Sequence, residues 1–411
     1  MRRLLKLLIY VSVVLGAAML VAGFLLLEET PTVTKDAPPT AEDVAEAREF
    51  VRGVRTAIQS DSGDAKIFVT TQEQLNRVVK LGTRLIPGFR GDLQVTEGIA
   101  HGRASIPLPY TEKWINLRAS VPEFDETFTV SDVSVGPLSI PPELALGVAR
   151  HAANLVIGES FGDTVLSAAT RLEIDGRTMV FDLAMDEMGT NGVMRGVFGS
   201  LRGSDMPQAS DIDRYYLEIR TAMDRGTLPT EGSYLPYLVY TLEAALEGSE
   251  TEGIENAYTS AIMALALICG AGDFSLVMGG LGGSDQLKGR QWKTGCGALT
   301  LNGRIDSRRH FTTAAAIQAA SNRGFSVSIG EFKELYDTVK SGGFDFTDIA
   351  ANNSGIRMSN RMMSAPPADW PALLARIRGQ EDVIVAFDDI PQIMSEEAFL
   401  QIYCDVDSPE Y

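Results

Sequence analysis

The sequence predicts an α+β protein: an N-terminal transmembrane helix, an antiparallel β-rich domain with helices, then an all-α C-terminal domain. Three observations predict it. Leu7 to Leu27 is a run of 21 residues without a charge, matching the roughly 20 apolar residues that cross a bilayer's hydrocarbon core. From Lys66 to about Asp186, apolar and polar residues alternate in several stretches, the signature of half-buried strands. Beyond Ser210 the apolar residues recur at helical spacing. The boundaries drawn from these changes are 1–30 for the anchor, 31–64 for a spacer and amphipathic helix, 65–205 for the α+β domain and 206–411 for the helical domain.

Taken in order, Arg2, Arg3 and Lys6 precede the apolar run, and Glu28 and Glu29 follow it. The positive-inside rule then leaves the N-terminus cytoplasmic and the body outside, a single-pass inner-membrane protein with a periplasmic body. Pro31 to Pro39 reads as an extended spacer. Thr40 opens a helix carrying Val44, Ala47, Phe50, Val51, Val54 and Ile58 on one face. Thr70 or Thr71 caps the next helix, which holds Leu75, Val78, Val79 and Leu85. Alternation is clean over 115–121 and 179–185, Asp175-Gly176 makes a hairpin turn, and Pro142 to Ile157 reads as a helix.

Gly189 to Ser210 holds the boundary. In the helical half, Ile212 to Met223 and Leu235 to Leu246 mark two helices, and Ala257 to Ile268 is almost wholly apolar. That run is too short to span a bilayer, so it is the central buried helix. Gly279 to Gly283 is a connection and not a phosphate loop, since no strand-to-helix pattern surrounds it. Pro371–Arg378 and Glu396–Ile402 complete the set.

Composition limits the function classes. Over 411 residues, 45% are hydrophobic and 22% charged, with a net charge of -18. Such an acidic chain lacks the basic face that nucleic acid requires. Of the three cysteines, Cys269 and Cys296 either form a bridge in an oxidising compartment or stay reduced with Cys404.

Chemistry concentrates between Gly303 and Gly355. Asp306 or Ser307 caps a helix bearing His310, with Phe311, Ala314, Ala315 and Ile317 on a narrow apolar face, and Gly324 ends it. A second helix, about Ser328 to Val339, carries Glu331, Lys333, Glu334 and Asp337. A third begins near Asp345 or Thr347, with Asp348 in its first turn and Asn352 four residues on. His310, Glu334, Asp337 and Asp348 are the candidate catalytic residues. They suit a general base with an orienting carboxylate, or a divalent metal, though the sequence requires no cofactor. Equally, they suit a polar cluster that fixes helix packing.

His310, Lys333, Glu334, Asp337, Phe346, Asp348, Asn352 and Gly355 together resemble the VanZ-like families, which implies a bacterial envelope protein with polar residues on helices. Those families carry the residues on membrane-spanning helices, whereas the helices here are too polar to span. T-T-Q-E-Q-L-N at 70–76 and V-G-P-L-S-I-P at 135–141 resemble the YpmS-like extracytoplasmic proteins. The stretch from 210 to 411, with L-N-G-R-I-D-S-R-R-H-F and D-D-I-P-Q-I-M-S-E-E-A-F, resembles a single-span envelope family of Gram-negative bacteria and implies one domain without an activity. These readings lead to two expectations. One is an envelope binding or scaffold factor, attached through its N-terminal helix, whose partner is a lipid, a glycan or a membrane protein. The other is a metal-dependent or acid/base hydrolase of an envelope lipid or glycan, acting through His310, Glu334 and Asp348.

Overall fold

The computed structural model describes residues 27–34, 66–85, 88–108, 111–157, 161–184, 206–271, 296–321, 344–390 and 393–403, with scattered positions between 42 and 53. The chain divides into two compact units, one formed mainly by residues 46–153 and 162–185 together with the N-terminal segment, the other mainly by residues 186–411.

In the first unit, β1 (Leu27–Glu28), β3 (Arg90–Thr96), β4 (Ile99–Pro107), β5 (Trp114–Pro122), β7 (Ser131–Val135) and β8 (Leu138–Ile140) make an antiparallel sheet. A second sheet runs in the order β2 (Lys66–Thr71), β10 (Thr178–Leu183), β9 (Ala169–Asp175), β6 (Phe124–Asp125). Its alternation aligns Phe68, Phe181, Leu172 and Phe124 in one row across four strands. Phe181, Leu172 and Phe124 of this row, with Met179 and Ile174, form a core with Leu93, Val95, Ala100 and Val121 of the first sheet. Hairpin turns follow local chemistry. Gly176 has φ +59 at the first central position between β9 and β10, and Glu97-Gly98 are both at positive φ between β3 and β4, the backbone that matches strand twist.

Helix α1 (Gln72–Leu85) packs beside β3. Its Asn76 amide both donates to and accepts from the Leu93 backbone, each at 2.7 Å, and Gln72 Oε1 accepts from Val95 N–H at 2.8 Å. These side chains, four residues apart on one helix face, satisfy edge-strand groups that a neighbouring strand would otherwise pair. The unit's remaining elements are α2 (Pro142–Ile157) and α3 (Phe161–Ala168).

The expected N-terminal transmembrane helix is overturned. Among the described residues no helix is long and apolar enough to cross a membrane. Leu27, the end of the expected span, lies in β1, where Leu27 pairs with Ile115 and Glu28 with Trp114. An apolar run scored for hydropathy does not reveal that its last residue has a strand partner far along the chain. Residues 1–26 lie outside the described residues, as does most of the expected helix from Thr40. The start of the spacer is not free coil, because Thr32 and Val33 donate backbone N–H groups to Ser105 Oγ at 3.0 and 3.1 Å.

The second unit is built on α6 (Ile254–Cys269), buried without interruption from Ala257 to Cys269. Around it pack α4 (Ala209–Asp224), α5 (Leu235–Glu252) and α7 (Ile305–Ala320), with α8 (Phe346–Ser364) against α7. Trp370, first residue of the short α9 (Trp370–Leu374), is fully buried edge-on to Tyr258. The expectation of an all-α unit also needs correction. Strands β11 (Glu231–Ser233) and β12 (Ala298–Thr300) pair in parallel, and β13 (Phe344–Asp345) pairs with β14 (Ile393–Met394), before α10 (Glu396–Tyr403). These fragments are too short to leave a period-two pattern in sequence. Cys269 and Cys296 are joined by a disulfide, which resolves the two alternatives in favour of the bridge; Cys404 lies outside the described residues.

Candidate functional site

The polar residues of the second unit meet along the seam between α7 and α8. The entry to α7 is set by Asn302-Gly303, both at positive φ, which close a tight turn with reciprocal Leu301–Arg304 backbone hydrogen bonds of 3.0 and 3.1 Å. That turn delivers Arg304 as the residue before the helix, so Asp306 and Ser307 sit inside its first turn and do not cap it. Helix α8 begins where expected, and Asp345 caps it, accepting from Thr347 N–H at 2.8 Å and from its hydroxyl at 2.6 Å.

His310 occupies the middle of the seam, its side chain 1% exposed. Its Nε2 stands 3.0 Å from Asp348 Oδ2, and its Nδ1 stands 3.2 Å from Asn352 Oδ1. Arg304 reaches across from the same end, with Nη2 3.0 Å from Asp345 and 3.6 Å from Asp348 Oδ1, and a further bond to Thr347 Oγ1. Burial alone would lower Arg304's pKa, but the Asp345 hydrogen bond and the charges of Asp345, Asp348 and Asp306 outweigh it and hold the guanidinium above its usual value. Further along the seam, Gln318 donates to Asn360 at 2.9 Å.

Small residues let the helices approach closely enough for these bonds. A Cβ on Gly355 would lie 2.2 Å from the Phe311 carbonyl oxygen, so only glycine fits there. Ala314, Ala315 and Ala351 are also buried.

The structure brings His310 and Asp348, two of the expected cluster, together, and adds Asn352 to them. Lys333, Glu334 and Asp337 lie outside the described residues, as does the rest of the helix expected over 328–339. Sequence reasoning missed Arg304 as the counter-ion, and took Asp306 for a cap. Asp306 instead stands with Oδ1 4.0 Å from His310 Nε2, its side chain 51% exposed. The signal was present, because Asp306 and His310 are four residues apart and share a helix face. Asp306, His310 and Asp348 each offer a ligand atom within 4.8 Å of the others, a group that can hold a metal ion.

Comparisons with family models, with curated proteins and with solved structures find no match. Function must be argued from geometry.

Two neighbouring features bear on that argument. Arg308, 2% exposed, donates to the carbonyl of Cys296, and burial lowers its pKa. It thereby ties the disulfide to the helix that carries His310. A cleft of about 230 Å³ beside α8 is lined by Arg357, Met358, Arg361, Met362, Leu373 and Ile377 among others, and neither His310 nor Asp348 reaches it.

Proposed function

We propose that the chain is a non-catalytic binding or scaffold factor working outside the cytoplasm, and that the seam cluster serves to lock α7 against α8. One observation carries this reading: the His310 ring is 1% exposed and already has Asp348 and Asn352 on its two nitrogens. A general base must come within hydrogen-bond reach of the proton it removes, and a sealed imidazole does not. Buried, mutually bonded polar groups instead specify one helix register. The Cys269–Cys296 bridge supports the compartment, since disulfides persist in oxidising surroundings. The ligand classes expected are an envelope lipid, a glycan or a protein.

A second reading is favoured by Asp306 alone. Its half-exposed carboxylate stands 4.0 Å from His310 Nε2, and the three donors, one nitrogen and two oxygens, suit a divalent ion such as zinc or manganese. Arg304 beside Asp348 opposes it by placing a positive charge 3.6 Å from a ligating carboxylate.

The test uses the purified chain with fluorogenic phosphate-ester and glycoside substrates, with and without Zn²⁺ or Mn²⁺. No turnover and no rise in melting temperature with either metal are expected. A metal-dependent rise would install the second reading. Turnover that His310→Gln abolishes while the protein melts as before would sink the proposal.

A further inference from the structure

The first sheet has two unlike faces. Leu93, Val95, Ala100 and Val121 face the core. The residues that alternate with them are polar, and the register sets them in rows: Arg90–Ser105–Asn116, Asp92–Arg103–Arg118–Ser134 and Gln94–His101–Ser120–Ser131. Side-chain contacts confirm the shared face. Arg103 pairs with Asp92, His101 Nδ1 meets Ser120 Oγ at 2.9 Å, and Ser105 donates to Asn116 at 2.6 Å.

The N-terminal segment crosses one end of this face. Thr32 and Val33 N–H groups donate to the Ser105–Asn116 pair, and Asn116 donates to the Thr30 carbonyl at 2.9 Å. Two arginines converge on the same two residues of this strap. Arg118 Nη2 donates to Thr32 Oγ1 at 3.1 Å, and Arg90 Nη1 reaches the Val33 carbonyl at a long 3.5 Å. The Arg90 guanidinium lies over the Trp114 ring, 4.5 Å from its centroid, a stacking that orients the planar fork and leaves its edge N–H groups to bond elsewhere.

Charge is unbalanced here. Arg103 and Arg118 are direct cross-strand partners, an arrangement that destabilises a sheet unless a counter-charge intervenes. Asp92 supplies it for Arg103. Glu28 is bonded to Asn116. Among the described residues neither Arg90 nor Arg118 has a carboxylate within ion-pair distance. Asp132 is the nearest candidate by register. It stands where the β5–β7 pairing shifts, at φ +49, and makes no ion pair with Arg118. In a chain of net charge -18, two guanidinium groups that end on adjacent strap residues, one bonded to a hydroxyl and the other to a carbonyl, are an anion site by complementarity.

We propose that Arg90 and Arg118, which reach the adjacent strap residues Val33 and Thr32, bind a phosphate-type oxyanion. The planar guanidinium fork matches phosphate oxygens two at a time, and the strap fixes where both forks end. The site gives the binding-factor reading a ligand class and rests on it only in that the chain binds without converting. The phosphate can come from a soluble ester or from a lipid headgroup.

Calorimetric titration of the full chain with inorganic phosphate and with glycerol phosphate, beside flotation with phosphatidylglycerol and phosphatidylcholine vesicles, tests it. Binding of the soluble anions assigns a free phosphate ester. Capture by anionic vesicles alone assigns a headgroup. In either case Arg118→Gln and Arg90→Gln should each weaken binding at least tenfold, and Arg90→Lys should fail to restore it fully. Arg171→Gln, on the other sheet, should leave it unchanged. Near-ultraviolet circular dichroism confirms that each variant is folded, and because Arg118 is held only by a hydroxyl its loss leaves the sheet intact. No binding of any probe, or equal binding by folded Arg90→Gln and Arg118→Gln, overturns the proposal. If phosphate fails to bind and no substrate is turned over, the site is refuted while the binding-factor reading stands.

Discussion

Arginine, histidine, aspartate and asparagine gather twice in this chain, on the α7–α8 seam and on the polar face of the first sheet, and the two settings use them in opposite ways. In the seam, Arg304 faces Asp345 and Asp348, and His310 faces Asp348 and Asn352, with little surface left to solvent. On the sheet, Arg90 and Arg118 are half-buried, face only neutral partners and end on adjacent residues of the strap. The same side chains hold helices together when their bonds close among themselves. They recruit a ligand when a charge is left over. What distinguishes a structural from a binding cluster is the balance of charge and access, which residue identity alone does not give.

Changes within the helical unit should have the largest effects. Asp348→Ala takes its carboxylate partner from the buried His310 Nε2, while Arg304 keeps Asp345, and a buried group left unsatisfied costs about 1–3 kcal/mol, more where it is charged. Chemical denaturation should register that loss in the helical unit, and a loss below about 1 kcal/mol would mean that the cluster is not part of the packing. Replacing Cys269 and Cys296 together by serine reopens a loop whose ends are 27 residues apart, which costs about 3–4 kcal/mol on the chain-entropy account. The comparison sharpens with Gly355→Ala. The added methyl meets the Phe311 carbonyl oxygen, and overpacking of this kind costs about 1–3 kcal/mol, with a lower melting temperature as the readout.

The smallest effect lies outside both clusters and carries a pH signature. Burial, reinforced by neighbouring Glu247, raises the pKa of Glu218. A carboxyl group with a raised folded pKa keeps its proton longer in the native state, so its contribution falls as pH rises through that pKa. Glu218→Gln should therefore melt slightly higher than the parent at pH 7, and the gap should close as the pH falls to about 4, where a freely solvated carboxyl is itself half protonated. A gap that is constant with pH would assign the effect to packing.

How much of this was legible in sequence differs between the regions. The buried helix α6 was plain because twelve successive residues from Ala257 to Ile268 are almost wholly apolar, and no amphipathic alternative competes. The strands around 115–121 and 179–183 were plain for the same reason at period two. Helix α7 was misjudged as narrow-faced. Its Ser307, Arg308, His310, Thr312 and Gln318 are buried, and polar residues buried against neighbouring helices give no hydropathy signal. Arg304 was missed because its partners lie about forty residues on, at the start of α8. The expected anchor failed at Leu27 because strand pairing is a long-range property, decided by Ile115. The polar sheet face had a pattern in sequence, R-G-D-L-Q and H-G-R-A-S, but only the register of β3, β4 and β5 shows which arginines stand unpaired.

Thermal unfolding of His310→Gln decides most directly what the seam is for. The account predicts that the helical unit melts several degrees lower than the parent, with ligand binding by the sheet unit unchanged. An unaltered melting temperature, accompanied by loss of a metal-dependent activity, would contradict it.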